Sequence, residues 1–321
     1  MSILIRSVAA LALAIVPATT FAQTFPSKPL RLIVPYSVGT PPDILGRIVA
    51  DRMQGTLGQP IVVENRPGAT GTIGLAELAR QPADGYTVLA MPMPVSVAPV
   101  LYPDLKLDLT RDLAPVGQMA WSCNVRVVHP EVQAQRVAEL VAVLKAQPNK
   151  LSFGSGGNGT PAHLAGELFK LQAGVSALHV PYVQFPQAIG DLVAGRLQFM
   201  FLASAPAVAQ ISAGKLRPLA VTGPARLEVL KDVPTMTEAG FPEFVMRDWQ
   251  GLVVRAGTPR DSINALNVAL NRTIALPEVR ALLAKIGNEA AGGTPEQFGQ
   301  LIALDSERWA RLVRTAGIKV D

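Results

Sequence analysis

Apolar positions along this chain switch repeatedly between two periods, and the switches lay out strands and helices in turn. Residues 30–34 form an apolar run of strand length, after which Ile44, Leu45, Ile48, Val49, Met53 and Leu57 recur at the spacing of one helix face. Gly58 stops that helix and residues 61–63 read as the next strand, a β-α-β unit. A helix at 73–78, a strand at 86–91 and a strand before Trp121 complete a first block. The pattern then restarts with a strand at 124–128, a helix at 137–144 and a strand at 151–153. Strand, helix, strand, helix, strand follow at 178–180, 189–193, 197–202, 208–211 and 216–221, with Gly195 and Gly214 placed for left-handed helix caps. A strand at 249–254 precedes three helices, at 263–273, 277–286 and 295–316, the last opened by the capping-box pair Thr294 and Gln297. Strands alternating with helices predict an α/β fold in two blocks, each a mostly parallel sheet flanked by helices, with the C-terminal helices packed back on the first block.

The beginning of the chain has a different character. Arg6, an apolar run at 8–16 and the small residue Ala22 after Thr20-Phe21 read as a secretory signal over residues 1–22, so the mature chain is expected outside the cytoplasm. No later stretch offers about 18 consecutive apolar residues, the length a spanning helix requires. The 29 lysines and arginines against 24 acids give a net charge of +5, but the basic residues are scattered singly, so nucleic acid is not an expected partner. Cys123 is the single cysteine, which excludes an intramolecular disulfide and a cysteine-clustered zinc site.

The densest chemistry lies at residues 151–169, where a short strand empties into Gly154-Ser155-Gly156-Gly157-Asn158-Gly159 and a helix opens at Thr160-Pro161. The first N–H groups of a helix lack internal partners and sit at the positive end of its dipole, so a small anion can be held there without a charged side chain. The same glycines also serve simply to turn a strand tightly into its helix. The G-x-G-x-x-G spacing fails as a dinucleotide fingerprint, because the following strand ends in Pro181-Tyr182-Val183-Gln184 with no acid for a ribose. Ser155 fails as a nucleophile elbow, since Phe153 stands where glycine is required. His129, His163 and His179 fall in no metal motif, and His163 with Glu167 at i and i+4 serves equally as a surface pair. A second loop of the same kind runs from Tyr36 through Ser37, Val38 and Gly39 to Thr40, with Pro41 in the first turn and Asp43 three residues after the cap. Asp43 supports the helix start but repels an approaching anion. Gly-Thr-Pro recurs at Gly39, Gly159, Gly257 and Gly293 without a period, and only the first two copies follow a strand through a longer loop, where ligands of open α/β sheets bind.

Asn65-Arg66-Pro67-Gly68, Pro82-Ala83-Asp84-Gly85-Tyr86-Thr87, Gly159 to Glu167, His179-Val180-Pro181-Tyr182, Ala213-Gly214-Lys215-Leu216-Arg217, Asp232-Val233-Pro234-Thr235 and Gly292-Gly293-Thr294-Pro295-Glu296 occur in one order along the chain. In this the sequence resembles the Bug family, the tripartite tricarboxylate transporter substrate-binding proteins of the TctC type, over essentially all of residues 25–321. The resemblance implies a two-domain periplasmic binding protein of type II appearance that closes on a small carboxylate held by backbone and polar groups of two facing loops. It places those loops at Tyr36, Ser37, Val38, Gly39, Thr40 and Asp43, and at Ser155, Gly156, Gly157, Asn158, Gly159 and Thr160. The expected domains are 25–122 with 249–321, and 124–248, with the cleft between them. Expected partners are a small organic acid and a tripartite tricarboxylate type permease or a sensor; no catalysis, cofactor or metal is expected, and the protein is expected to act as a monomer. An exported hydrolase or isomerase using the same cleft, or a sensory protein with a diverged pocket, are the alternatives. The sequence departs from the family pattern at Ser37-Val38, Thr40, Val183-Gln184 and Leu202. Leu202 either removes a polar group from the cleft, admitting a more apolar carboxylate, or is core of a buried strand.

Overall fold

The computed structural model describes residues 25–318 apart from 107 and 245, so the signal at residues 1–22 lies outside the described residues. In chain order the elements are β1 (Leu30–Val34), α1 (Pro41–Leu57), β2 (Ile61–Asn65), α2 (Thr72–Arg80), β3 (Thr87–Pro92), the short α3 (Ala98–Leu101) and α4 (Leu109–Asp112), and β4 (Leu113–Val128). They continue with α5 (Val137–Ala146), β5 (Ser152–Ser155), α6 (Pro161–Ala173), β6 (Leu178–Pro181), α7 (Phe185–Val193), β7 (Phe199–Ala203), α8 (Ser204–Ser212) and β8 (Arg217–Val221). The last are β9 (Arg247–Arg255), α9 (Arg260–Ala275), α10 (Pro277–Lys285), β10 (Asn288–Ala290) and α11 (Pro295–Ala316).

The strand order is β2-β1-β3-β9-β4-β7-β5-β6, with β10 and β8 also paired to β4. Two parallel triplets are present, β2-β1-β3 and β7-β5-β6. Every ladder made by β4 and β9 is antiparallel, so the sheet is mixed rather than mostly parallel. The cause is β4 itself. The strands expected before Trp121 and at 124–128 are one strand of 16 residues, which pairs with β9 as far as Cys123 and with β7 from Asn124 onward. Two register shifts, at Pro115/Gly117 and Gln118/Ala120, let an irregular segment stay in the ladder while the strand bends.

Apolar packing follows the strand order. Leu30 and Val34 of β1 meet Leu45 and Val49 of α1 and Leu266, Leu270 and Leu283 of the C-terminal helices in one cluster, which brings those helices back onto the first triplet. A second cluster joins Ile33, Met91 and Phe298 to Phe153, Phe169 and Phe201, across both triplets. A parallel triplet delivers all its strand C-termini to one edge, so the loops after β1 and β5 are presented where the two triplets meet.

Arg126 breaks the apolar pattern of β4. It is 0% exposed, and its guanidinium carbon lies 3.2 Å from the centre of the Phe169 ring and 4.9 Å from that of Phe201. None of its three side-chain nitrogens has a hydrogen-bond partner among the described residues, and burial pushes its pKa well down. Ring faces return about 2 kcal/mol to a desolvated cation, whereas removing an unpaired ion from water costs several kcal/mol. Arg126→Met is therefore expected to raise stability by roughly 1–4 kcal/mol in urea titration. A fall in the midpoint would show that the two phenylalanine rings hold the charge at a net gain.

Candidate ligand site between two loops

The loop after β5 is built on close approach. A Cβ on Gly154 would lie 2.4 Å from Leu197 Cδ1, so any larger residue there would have to displace that side chain. Gly157 and Gly159 then take φ of 111° and 76°, turning the chain sharply into α6. Thr160 occupies the N-cap position, but its hydroxyl donates to the Gly157 carbonyl at 2.7 Å and makes no cap bond. Thr160 thus provides no side-chain cap. Pro161 has no N–H, which leaves those of Ala162 and His163 as the uncapped donors at the helix end.

Beneath the loop lies a group of side chains that the sequence treats as separate. Ser155 Oγ is 2.7 Å from His179 Nε2, and the His179 ring stacks on His163 at 3.9 Å between centres, 8° from parallel. The Gly159 N–H donates to His163 Nδ1 at 3.1 Å, which assigns the proton of that ring to Nε2. Burial, with a smaller contribution from His179, lowers the pKa of His163 to about 3; burial also lowers that of His179 to about 4. Both rings are neutral at ordinary pH, and their role is to hold the loop. His163 and Glu167 form no surface pair: both are buried, 3.8 Å apart, and Lys170 donates to the Glu167 carboxylate at 2.8 Å. Ser155 is fully buried, and its hydroxyl bonds to the Gly157 carbonyl and to His179.

The loop after β1 is organised by Asp43. One carboxylate oxygen accepts from the Gly39 N–H at 2.9 Å; the other accepts from Arg47 Nε at 2.9 Å and Asn65 Nδ2 at 2.8 Å. Burial opposes the charge, but these three donors together hold the acid below its ordinary range. Asp43 is thus a structural anion, and the Gly39 N–H is taken by it. Thr40 donates to the Ser37 carbonyl at 2.6 Å instead of capping, and Pro41 and Pro42 remove two further donors from the start of α1. Ser37, Val38 and Gly39 remain exposed. The α1 terminus is consequently the poorer anion seat of the two. Leu202, near the C-terminal end of β7, is fully buried in a cluster with Val125, Val127 and Met200.

Residues not singled out in the sequence, together with Tyr36 of the first loop, lie beside these loops. Thr70, in the turn before α2, donates through its hydroxyl to the Asn158 carbonyl at 3.3 Å and lies 3.2 Å from the Tyr102 hydroxyl. Leu101 packs so near the second loop that a Cβ on Gly159 would lie 2.4 Å from its Cδ1. Tyr36 has an enclosed hydroxyl with no partner among the described residues; burial first, then Asp248 and Tyr102, push its pKa up. Asp248, opposite Ser122 at the start of β9, is raised to about 7, chiefly by burial. The Pro-Gly of 67–68 marks a turn in the sequence, but nothing there announces its reach toward a loop 88 residues later.

Comparison with known proteins settles the family. The model of the tripartite tricarboxylate transporter family receptor (TctC) matches residues 45–318. This chain belongs to that family. Protein BugT of Bordetella pertussis is 35% identical over 308 residues, covering 95% of this chain and 94% of that protein. Among solved structures, Rpa4515 of R. palustris with adipate is 30% identical with a TM-score of 0.85, covering 92% of this chain and 99% of that one. MatC of Rhodopseudomonas palustris with bound malate is 28% identical with a TM-score of 0.82, covering 90% and 100%. The TctC-family chain therefore has the periplasmic binding protein fold, and its family and structural neighbours are solute-binding proteins.

The buried rings make stability depend on pH. An unfolded histidine titrates near 6.5, so below that pH the unfolded chain takes up protons that the folded rings, at about 3 and about 4, refuse. Their contribution is full above 6.5 and is lost on acidification toward those values. Asp248 acts oppositely: the fold keeps a proton up to about 7 that the unfolded chain releases near 3.8, so its contribution is full in acid and lost as pH rises. Two rings outweigh one carboxyl, and the unfolding free energy is expected to fall by roughly 3 kcal/mol between about pH 6.5 and pH 4. In chemical denaturation across that range His179→Gln should flatten the fall and Asp248→Asn should steepen it; unchanged slopes would mean that these groups titrate normally.

Proposed function

We propose that this chain is an extracytoplasmic receptor that captures a small carboxylate between two lobes, 25–122 with 249–321 and 124–248. The observation that carries this reading is the uncapped start of α6, entered through a loop whose Asn158 and Gly159 touch Thr70 and Leu101 of the other proposed lobe. Helix-end donors stabilise an anion without a counter-charge that would have to be desolvated. The backbone and hydroxyl groups of Ser37, Val38 and Thr40 close on the ligand from the opposite side, and Ser155, Gly156, Gly157, Asn158, Gly159 and Thr160 shape its seat. The change of β4 from one ladder to the other at Cys123 and Asn124 supplies the hinge, and a ligand touching both lobes favours the closed form. The acids named for the two R. palustris neighbours, adipate and malate, support a dicarboxylate or other small carboxylate ligand.

The mature protein works in the periplasm as a monomer, delivers its ligand to a tripartite tricarboxylate type permease, and uses no cofactor. The buried Ser155 hydroxyl speaks against the hydrolase alternative. Refolded mature protein is expected to gain thermal stability from one class of mono-, di- or tricarboxylate in a thermal-shift screen, since a ligand specific to the fold raises the midpoint by mass action. Gly159→Ala, whose added methyl meets both Leu101 and Thr70, should weaken that binding by roughly tenfold, about 1.4 kcal/mol, in calorimetric titration. A stabilising acid whose affinity is unchanged in this variant would remove the second loop from the site.

A further inference from the structure

The turn before α2 is strained, and it touches the site. Gly68, Ala69, Thr70 and Gly71 have successive φ values of 129°, 46°, 54° and 90°. Glycine adopts such angles freely, but a β-branched threonine in the left-handed region is a marked exception, and exceptions of this kind persist where surrounding structure fixes them. Here the base of the turn is fixed by packing: a Cβ on Gly71 would lie 2.7 Å from Val95 Cγ2, and one on Gly74 would lie 2.7 Å from Pro35 Cβ. The Gly71 N–H donates to the Gly68 carbonyl at 2.9 Å, closing the turn.

What the strain accomplishes is the direction of one hydroxyl. Thr70 Oγ1 reaches the carbonyl of Asn158, while the N–H of the same peptide unit, that of Gly159, donates to His163 Nδ1. A single peptide plane is thus held at its oxygen from one lobe and at its nitrogen from the other. Rotating that plane would turn the loop that leads into α6. Tyr102, 3.2 Å from Thr70 Oγ1, orients the hydroxyl from its own side.

We infer that Thr70 is a positioning residue for ligand capture: its strained turn clasps the Asn158–Gly159 peptide across the cleft and couples lobe closure to the alignment of the α6 terminus. The inference rests on the two-lobe binding reading above. The clasp forms in the closed state only, so it adds to closed-state stability without touching ligand. Strain and clasp act in opposite directions at one residue, which makes the role separable from plain support of the fold.

The test uses the mature protein with spin labels at Arg52→Cys and Gln172→Cys, both exposed and on opposite lobes, and compares Thr70 with Thr70→Ser, Thr70→Val and Thr70→Gly. Inter-label distances are measured with and without adipate, and adipate affinity by calorimetry. Thr70→Val should shift the population toward longer distances and weaken adipate about five- to tenfold, in proportion to the lost closed population, and Thr70→Ser should restore both. Thr70→Gly should raise the unfolding midpoint while opening the lobes, a combination that a merely structural role would not give. Equal distance distributions in the valine, serine and parent proteins would overturn the clasp, even with adipate bound. A parent protein that binds no adipate, but whose distances lengthen in Thr70→Val and recover in Thr70→Ser, would keep the clasp and remove adipate from the ligand reading.

Discussion

The peptide between Asn158 and Gly159 is the point on which the site depends. Its N–H is bound by a histidine that must stay neutral to accept it, and its C=O by a threonine from the turn before α2. Neutrality is secured by burial: His163 and His179 lie face to face, and a charge on either ring would have to be borne in a dry environment beside the other. An apolar foundation thus supports a polar loop. The stack continues through Phe153 to Phe199, so the loop is anchored in the same core that holds β5 and β7 together.

The two loops that look alike in sequence are chemically unequal. Both have Gly-Thr-Pro at a helix start, yet the first spends its Gly39 N–H on Asp43 and loses two donors to Pro41 and Pro42, while the second leaves two helix donors uncapped. The α6 terminus therefore offers the better anion seat of the two. The Asp43 carboxylate is satisfied locally by Arg47 and Asn65, which the sequence alone does not show.

Much of the fold was legible in the chain because strands and helices here have distinct periods and clear stops: α1, α6 and α11 each begin at a Thr-Pro and end at a left-handed glycine. β4 was not legible as one strand, since polar Gln118, Ser122 and Asn124 interrupt its alternation and only pairing with β9 and β7 reveals its continuity. The second loop of the site was legible from its glycines. His163, His179 and Ser155 were visible singly but not as a group, because parallel pairing of β5 with β6 is what sets Phe153 beside His179. Thr70, Tyr102 and Asp248 carry no local signal, for their role lies in contacts between distant segments. Leu202 shows the converse: a departure visible in the sequence, its side chain is fully buried in β7.

The most direct measurement of the central claim is a crystal structure of the mature protein with a carboxylate that stabilises it. The account predicts one carboxylate oxygen about 3 Å from the Ala162 and His163 nitrogens, with Thr70 still bound to the Asn158 carbonyl and the loop after β1 closed over the ligand. A carboxylate bound instead by arginine or lysine side chains elsewhere, with the α6 terminus facing water, would contradict it.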